Sequence, residues 1–207
     1  MSVWDEVFAR CYETVLWPAE RAGLAERRRK LVSRARGRVL EIGPGPGNNL
    51  RYFPDDLGEL VLAEPIEGVA RVLEKRVAKA GRAARVVRAP AESLPFEDDS
   101  FDTVLAIYVL CTVTDPEQAL AEVARVLKPG GELLFIEHVR SREPRLARWQ
   151  DRLHGLWLRF GNGCNCNRET WKTLQASDLE VKDIEFADQR FAMPLVKPLI
   201  QGYAAAP

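Results

Sequence analysis

The fold turns on one stretch, Arg38-Val39-Leu40-Glu41-Ile42-Gly43-Pro44-Gly45-Pro46-Gly47. A short apolar, β-branched run reads as a buried strand, and it ends in three glycines spaced by prolines. Gly43, Gly45 and Gly47 let the backbone approach a ligand without obstruction by Cβ. Beyond them, the pattern predicts the start of a helix near Asn48 and Asn49, with free N–H groups at its end. The spacing departs from the dinucleotide fingerprint G-x-G-x-x-G, because Asn48 stands where the third glycine belongs.

Outward from this turn, strand and helix patterns alternate. Residues 60–64, 84–89, 100–106 and 132–137 read as further strands. Residues 69–79 and 115–127 read as helices, the second with Pro116 in its first turn. Lys128-Pro129-Gly130-Gly131 reads as a stop signal and turn. Such alternation predicts βαβ units and a buried parallel sheet. Residues 180–188 and 200–205 look like two last strands, near enough to pair antiparallel. At the other end, 4–16 and 19–35 read as two helices.

The chain has 207 residues, which suits one domain, and its 30 Lys and Arg balance 30 Asp and Glu. A net charge of zero argues against a strongly basic nucleic-acid binder, and 46% apolar residues fit one sizeable core. The charge is unevenly spread: residues 91–122 carry acids and no Lys or Arg, while 1–38 and 138–160 are each net basic. The longest apolar run, 104–113, is half the roughly 20 residues that a membrane-spanning helix needs. The first residues lack the pattern of a signal peptide, so a cytoplasmic location is expected. Cys11, Cys111, Cys164 and Cys166 are too few for a disulfide scaffold, and no Cys/His pair has zinc-site spacing, so no metal is expected.

Three acids follow successive strands. Glu41 lies two residues before the first glycine. Glu64, with Pro65 beside it, ends the second strand, where a carboxylate can accept hydrogen bonds from two ribose hydroxyls. Glu92 follows the third. Strand ends of this kind face one crevice in an open α/β sheet.

As a set, these features resemble the class I S-adenosylmethionine-dependent methyltransferases of the methyltransferase type 11 domain. The resemblance covers about residues 38–137 and includes Ala91-Glu92-Ser93-Leu94-Pro95-Phe96, Phe101-Asp102-Thr103-Val104 and Leu127-Lys128-Pro129-Gly130-Gly131. It implies an α/β, Rossmann-like, seven-stranded and mostly parallel sheet with an antiparallel last strand, helices on both faces and an N-terminal helical cap. It also implies S-adenosyl-L-methionine as cofactor and S-adenosyl-L-homocysteine as product. Glu64 and Pro65 would then face the ribose, Glu41, Gly43, Gly45 and Gly47 the methionine end, and Ala91 and Glu92 the adenine. The chain divides as one methyltransferase domain, with a cap over 1–36, a cofactor-binding core over 37–137, and a substrate-side lid with the last strands over 138–207.

A longer resemblance is to the methyltransferase-like alkyl-thiol S-methyltransferases. It is carried by Leu110-Cys111-Thr112-Val113, Glu137-His138-Val139, the stretch from Gly163 to Lys172, and the stretch from Val196 to Ala204. Animal members have an apolar membrane leader, and none is read here. The resemblance implies a small or lipid-like acceptor, with a thiol favoured. Relatives of similar pattern methylate phospholipid head groups or quinone precursors.

Tyr108 and His138, after the fourth and fifth strands, are the candidate acceptor-side catalytic residues. Tyr108 would also face the cofactor or else sit in the core; His138 would orient or deprotonate the acceptor, or else brace a loop. Cys111 reads as a small buried hydrophobe, and Cys164 and Cys166 lie in a covering loop. Leu146, Trp149, Leu153, Leu156, Trp157 and Phe160 share a helical face amid arginines, which suits a lid, a helix on an anionic membrane, or an ordinary amphipathic helix. The arginines of 27–30 read as a solvated face. The competing functions are a nicotinamide dehydrogenase and a cofactor-binding protein without catalysis.

Overall fold

Seven strands form one sheet in the order β3-β2-β1-β4-β5-β7-β6 in the computed structural model, which describes residues 20–207. The helix read over 4–16, and Cys11, lie outside the described residues. The strands are β1 (Arg38–Ile42), β2 (Glu59–Ala63), β3 (Arg85–Val87), β4 (Phe101–Ile107), β5 (Leu127–His138), β6 (Glu180–Asp188) and β7 (Pro198–Ala205). The first five pair in parallel, and β7 is antiparallel to both β5 and β6. This is the sheet that the resemblance implied, closed by the antiparallel pair read at the end of the chain.

The strands read as continuous apolar runs because both faces of the sheet are covered. Leu40, Val104 and Leu133 pack into one core layer, and their neighbours Val39, Leu105 and Leu134 into the other. Helices α1 (Ala25–Val32) and α2 (Glu67–Ala80) cover the second layer, through Leu31, Val32, Leu73 and Val77. Helices α3 (Pro116–Val126) and α5 (Thr170–Ala176) cover the first, through Leu120, Val123 and Leu174. Asp115 caps α3 by accepting from the N–H groups of Glu117 and Gln118, as the Asp-Pro start suggests.

Three expectations are corrected. No α-helix follows the glycine turn: only a 3-10 turn, Leu50–Tyr52, forms there. Gly47 stands at φ 90° and Pro54 lies seven residues on, which leaves too little chain for a helix. Residues 128–131 belong to β5 rather than to a separate turn; the ladder jumps from Phe101–Leu127 to Thr103–Glu132, so they bulge from it. The single helix read over 19–35 is interrupted at Gly23, which stands at φ 122°, and α1 runs only from Ala25 to Val32.

Helix α4 (Pro144–Phe160) carries two stripes rather than the single apolar face expected. Ala147, Gln150, His154 and Trp157, at helical spacing, turn to the protein, while Trp149 and Leu156 of the predicted face are 55% and 58% exposed. Gln150 is fully buried. Its Nε2 donates to the carbonyls of Val139 (3.1 Å), Cys166 (2.8 Å) and Leu195 (2.9 Å), and its Oε1 accepts from the Ser141 N–H (2.7 Å). One amide thus ties α4 to the end of β5, the covering loop and the approach to β7. Gln150→Leu fills similar space but strands those groups. It is expected to cost about 2 kcal/mol, a fall of roughly 4–8 °C in thermal midpoint for a chain of this size. An unchanged midpoint would show that water replaces the amide.

Candidate active site

The C-terminal ends of β1, β2, β4 and β5 meet in one region. At the end of β1 the three glycines all have positive φ, but they serve different neighbours. A Cβ on Gly43 would come within 2.7 Å of Val109, and one on Gly47 within 2.8 Å of both Leu50 and Leu73. Those two glycines admit the protein's own core. A Cβ on Gly45 would meet nothing within 4 Å, so this is where the turn faces open space.

Glu64, just past β2, is 4% exposed. One of its oxygens accepts the Gly45 N–H at 3.0 Å and the other accepts the Ile66 N–H at 3.0 Å. Burial raises its pKa against the pull of those two donors. Pro65 beside it is exposed. The carboxylate both ties down the glycine turn and retains lone pairs for a ligand.

Glu41 is 1% exposed. Its Oε1 accepts from Asn49 Nδ2 at 2.5 Å, and its Oε2 has no partner among the described residues. Asn49 in turn accepts from Arg28 Nη1 at 2.8 Å, and Arg28 Nε lies 2.9 Å from Glu20. Arg28 is 3% exposed, so it leaves the solvated face assigned to 27–30 and enters the site. Burial pushes Glu41 up to about 7, with Asn49 and Arg28 pulling it down. A buried carboxylate oxygen without a partner among the described residues calls for a further donor. No pattern in the sequence marks Arg28; only α1 folding over the turn brings it here.

Beyond β4, Tyr108 has φ 60°, an uncommon conformation for a bulky side chain. Its hydroxyl donates to Gln189 Oε1 at 2.5 Å, and its ring stacks on His138, centroids 4.1 Å apart at 17°. The expected acceptor-side pair is therefore in direct contact. Glu137, fully buried, accepts N–H bonds from Val109 (2.9 Å), Leu110 (2.9 Å) and Cys111 (3.1 Å), which fixes the segment after β4. Burial pushes its pKa up to about 7, against those three donors. A cleft of about 160 Å³ lies next to Gln189, between Ala22, Gly23 and Leu24 on one side and Arg190 on the other.

Ala91 is buried in the core with Leu94. The Glu92 carboxylate accepts from the N–H groups of Thr114 (2.9 Å) and Asp115 (3.4 Å), and so holds the entry to α3. The covering loop is pinned at several points: Asn165 donates to the Cys111 carbonyl, and Arg168 Nη1 donates to those of Leu110 (2.6 Å) and Val113 (3.0 Å). This brings Cys164 Sγ to 3.7 Å from Cys111 Sγ and to 3.7 Å from His138 Nδ1. The hydrogen bond between the Cys111 and Cys164 thiols, and then the contact with His138, hold the Cys164 thiol below its ordinary value, while the same thiol pair and burial push the Cys111 thiol up. Cys166, elsewhere in the loop, is pushed by burial to about 12. The nearness of Cys111, His138 and Cys164 was not legible in their sequence spacing.

These features fit S-adenosylmethionine: an open approach at Gly45, a carboxylate at the end of β2, and an orphaned acid oxygen at Glu41. A methyltransferase domain family matches residues 40–135. A thiol S-methyltransferase TMT1B of Homo sapiens is 32% identical over 202 residues, 92% of this chain and 82% of the relative. The Rattus norvegicus TMT1B is 34% identical over 170 residues, 80% and 69% of the two chains. The ubiquinone/menaquinone biosynthesis C-methyltransferase UbiE of Ectopseudomonas mendocina is 41% identical over 119 residues, 55% and 46% of the two. Among solved structures, the YcgJ protein of Bacillus subtilis overlays with a TM-score of 0.72 at 21% identity, covering 89% of this chain and 97% of that one. No described helix is long and apolar enough to cross a membrane. Fold, site and relatives agree: the chain belongs to the S-adenosylmethionine-dependent methyltransferase family that includes the thiol S-methyltransferases TMT1A and TMT1B.

Proposed function

We propose that this methyltransferase acts on the sulfur of a small or amphipathic thiol. The observation that carries this reading is the extent of the likeness. Similarity to a thiol S-methyltransferase runs over 202 residues, whereas that to the quinone C-methyltransferase runs over 119. The longer span takes in segments that here build one wall: the covering loop pinned to Leu110 and Val113, and Gln189 on the Tyr108 hydroxyl.

In this reading Glu64 holds the ribose hydroxyls and Pro65 borders them. Gly45 leaves room for the methionine end, with Gly43 and Gly47 shaping the turn. Glu41 takes the ammonium group on its free oxygen. The adenine contact rests on Ala91, since the Glu92 carboxylate is engaged at α3. The bound cofactor supplies a methyl already activated by the sulfonium charge. The chain's task is to align the acceptor and exclude water. The acceptor must shed its thiol proton, and in this reading Tyr108 and His138 orient its sulfur, a role supported by their stacking at the end of β4 and β5.

Cofactor binding is expected to depend on pH through Glu41. With its pKa near 7 in the free protein, pairing with an ammonium requires loss of a proton. Affinity therefore rises with pH, by about tenfold between pH 6 and 8, and Glu41→Gln flattens the profile. For stability the sign is opposite. A carboxyl held above its unfolded value of about 4.5 stabilises the free protein most at lower pH, and that contribution fades as pH climbs through 7. Calorimetric titration across pH measures the first effect and thermal melts the second. A flat wild-type affinity profile would remove Glu41 from the ammonium site.

The acceptor is tested by methyl transfer from labelled cofactor to a panel of alkyl thiols, phenols, amines and quinone precursors. Turnover confined to thiols is the expected result. Turnover confined to a quinone ring or an amine would overturn the reading.

A further inference from the structure

We propose that Cys111, His138 and Cys164 form a site for a thiophilic divalent cation of the zinc type. The three ligand atoms lie within 4.8 Å of one another, the one such group of three among the described residues. Two of the three spacings match the edges of a coordination tetrahedron, and the third, from Cys111 to His138, lies within 4.8 Å. Zinc bonds of about 2.3 Å to sulfur and about 2.0 Å to imidazole nitrogen imply edges of roughly 3.8 Å between sulfurs and roughly 3.5 Å from sulfur to nitrogen. The structure has 3.7 Å for Cys111 to Cys164 and 3.7 Å for Cys164 to His138 Nδ1.

The atoms are also held in place before any cation arrives. Asn165, next to Cys164, donates its backbone N–H (2.7 Å) and its Nδ2 (3.1 Å) to the Cys111 carbonyl, and its Oδ1 sits 2.9 Å from His154 Nε2. Glu137 fixes the Cys111 backbone, and Tyr108 stacks on the His138 ring. Ligands braced in this way by outer groups are what metal sites need. Two thiolates and a neutral imidazole balance a dication, and the two thiol protons leave to solvent on binding. Three protein ligands leave a fourth tetrahedral position for an exogenous group, as in catalytic rather than structural zinc sites. A thiolate is the ligand a soft cation prefers there; that last clause rests on the thiol reading above, while the cation site does not.

The test is cobalt(II) titration of the full chain, reduced, stripped with chelator and kept under anaerobic conditions, with neither cofactor nor acceptor present. The expected result is one cobalt per chain, with thiolate-to-cobalt charge-transfer absorption and tetrahedral visible bands that zinc(II) bleaches. Cys164→Ser should weaken affinity by about 100-fold or more, and Cys166→Ser should leave it unchanged. Cys164 is buried too but lies in the loop between α4 and α5 rather than at the end of a core strand, so its variant, checked by a thermal midpoint close to wild type, stays informative even where a change at the fully buried Cys111 unfolds the protein. Absent bands with every thiol free to react would overturn the site. So would two missing thiols without bound metal, which would mean a Cys111–Cys164 disulfide, or equal losses at Cys164 and Cys166. A bound cation beside failed thiol methylation would overturn only the acceptor reading.

Discussion

Glu137→Ala is expected to destabilise the protein by about 3–5 kcal/mol, the largest effect of any single change considered. Among the described residues, the carboxylate is the one acceptor for three buried N–H groups, those of Val109, Leu110 and Cys111. Alanine leaves all three unsatisfied where water does not reach, and it opens a cavity beside the end of β4. For a chain of about 200 residues this corresponds to a fall of roughly 6–20 °C in thermal midpoint. Glu137→Gln should fall between the two, because the amide keeps one accepting oxygen and turns an NH2 toward donors. A loss for Glu137→Ala below about 1 kcal/mol would mean that the segment after β4 finds other acceptors.

The second large effect is on the cofactor. Glu64→Ala should weaken binding of S-adenosylhomocysteine by about 100-fold, or ~2.7 kcal/mol. Two charge-assisted hydrogen bonds to a ribose account for most of that. The rest comes from the free protein: without the carboxylate, the Gly45 and Ile66 N–H groups lose their acceptor, and the turn that shapes the site loosens. The two contributions separate by experiment. Glu64→Gln keeps an acceptor for one N–H and should retain the thermal midpoint better than alanine does, while still losing much of the affinity. Calorimetric binding within twofold of wild type for Glu64→Ala would take Glu64 out of the ribose site.

Much of this was legible in the sequence for a physical reason. Strands buried on both faces cannot hide their apolar runs, so β1, β4 and β5 stand out. Asp115-Pro116 announces α3 by its capping chemistry, and the acid that ends β2 is marked by its place after a strand. What escaped depended on long-range contact. Arg28 belongs to a basic run on a short helix, and nothing local says that one guanidinium of the four basic residues turns inward to Asn49. Cys111 and Cys164 are 53 residues apart, and only the pinned loop brings them together. Helix α4 misled because hydrophobic spacing cannot tell a stripe facing the core from one facing outward: Gln150, a polar residue, marks the buried side.

The three glycines of the opening turn look interchangeable as letters, yet they answer to different selective pressures. At Gly43 and Gly47 a side chain would collide with the core, so drift there is policed by folding, whatever the enzyme methylates. At Gly45 there is room, and the constraint comes from backbone conformation and from whatever occupies the crevice. A lineage that changed its ligand would meet no clash at the middle glycine, only the cost of its positive φ, while the outer two persisted as relics of the scaffold.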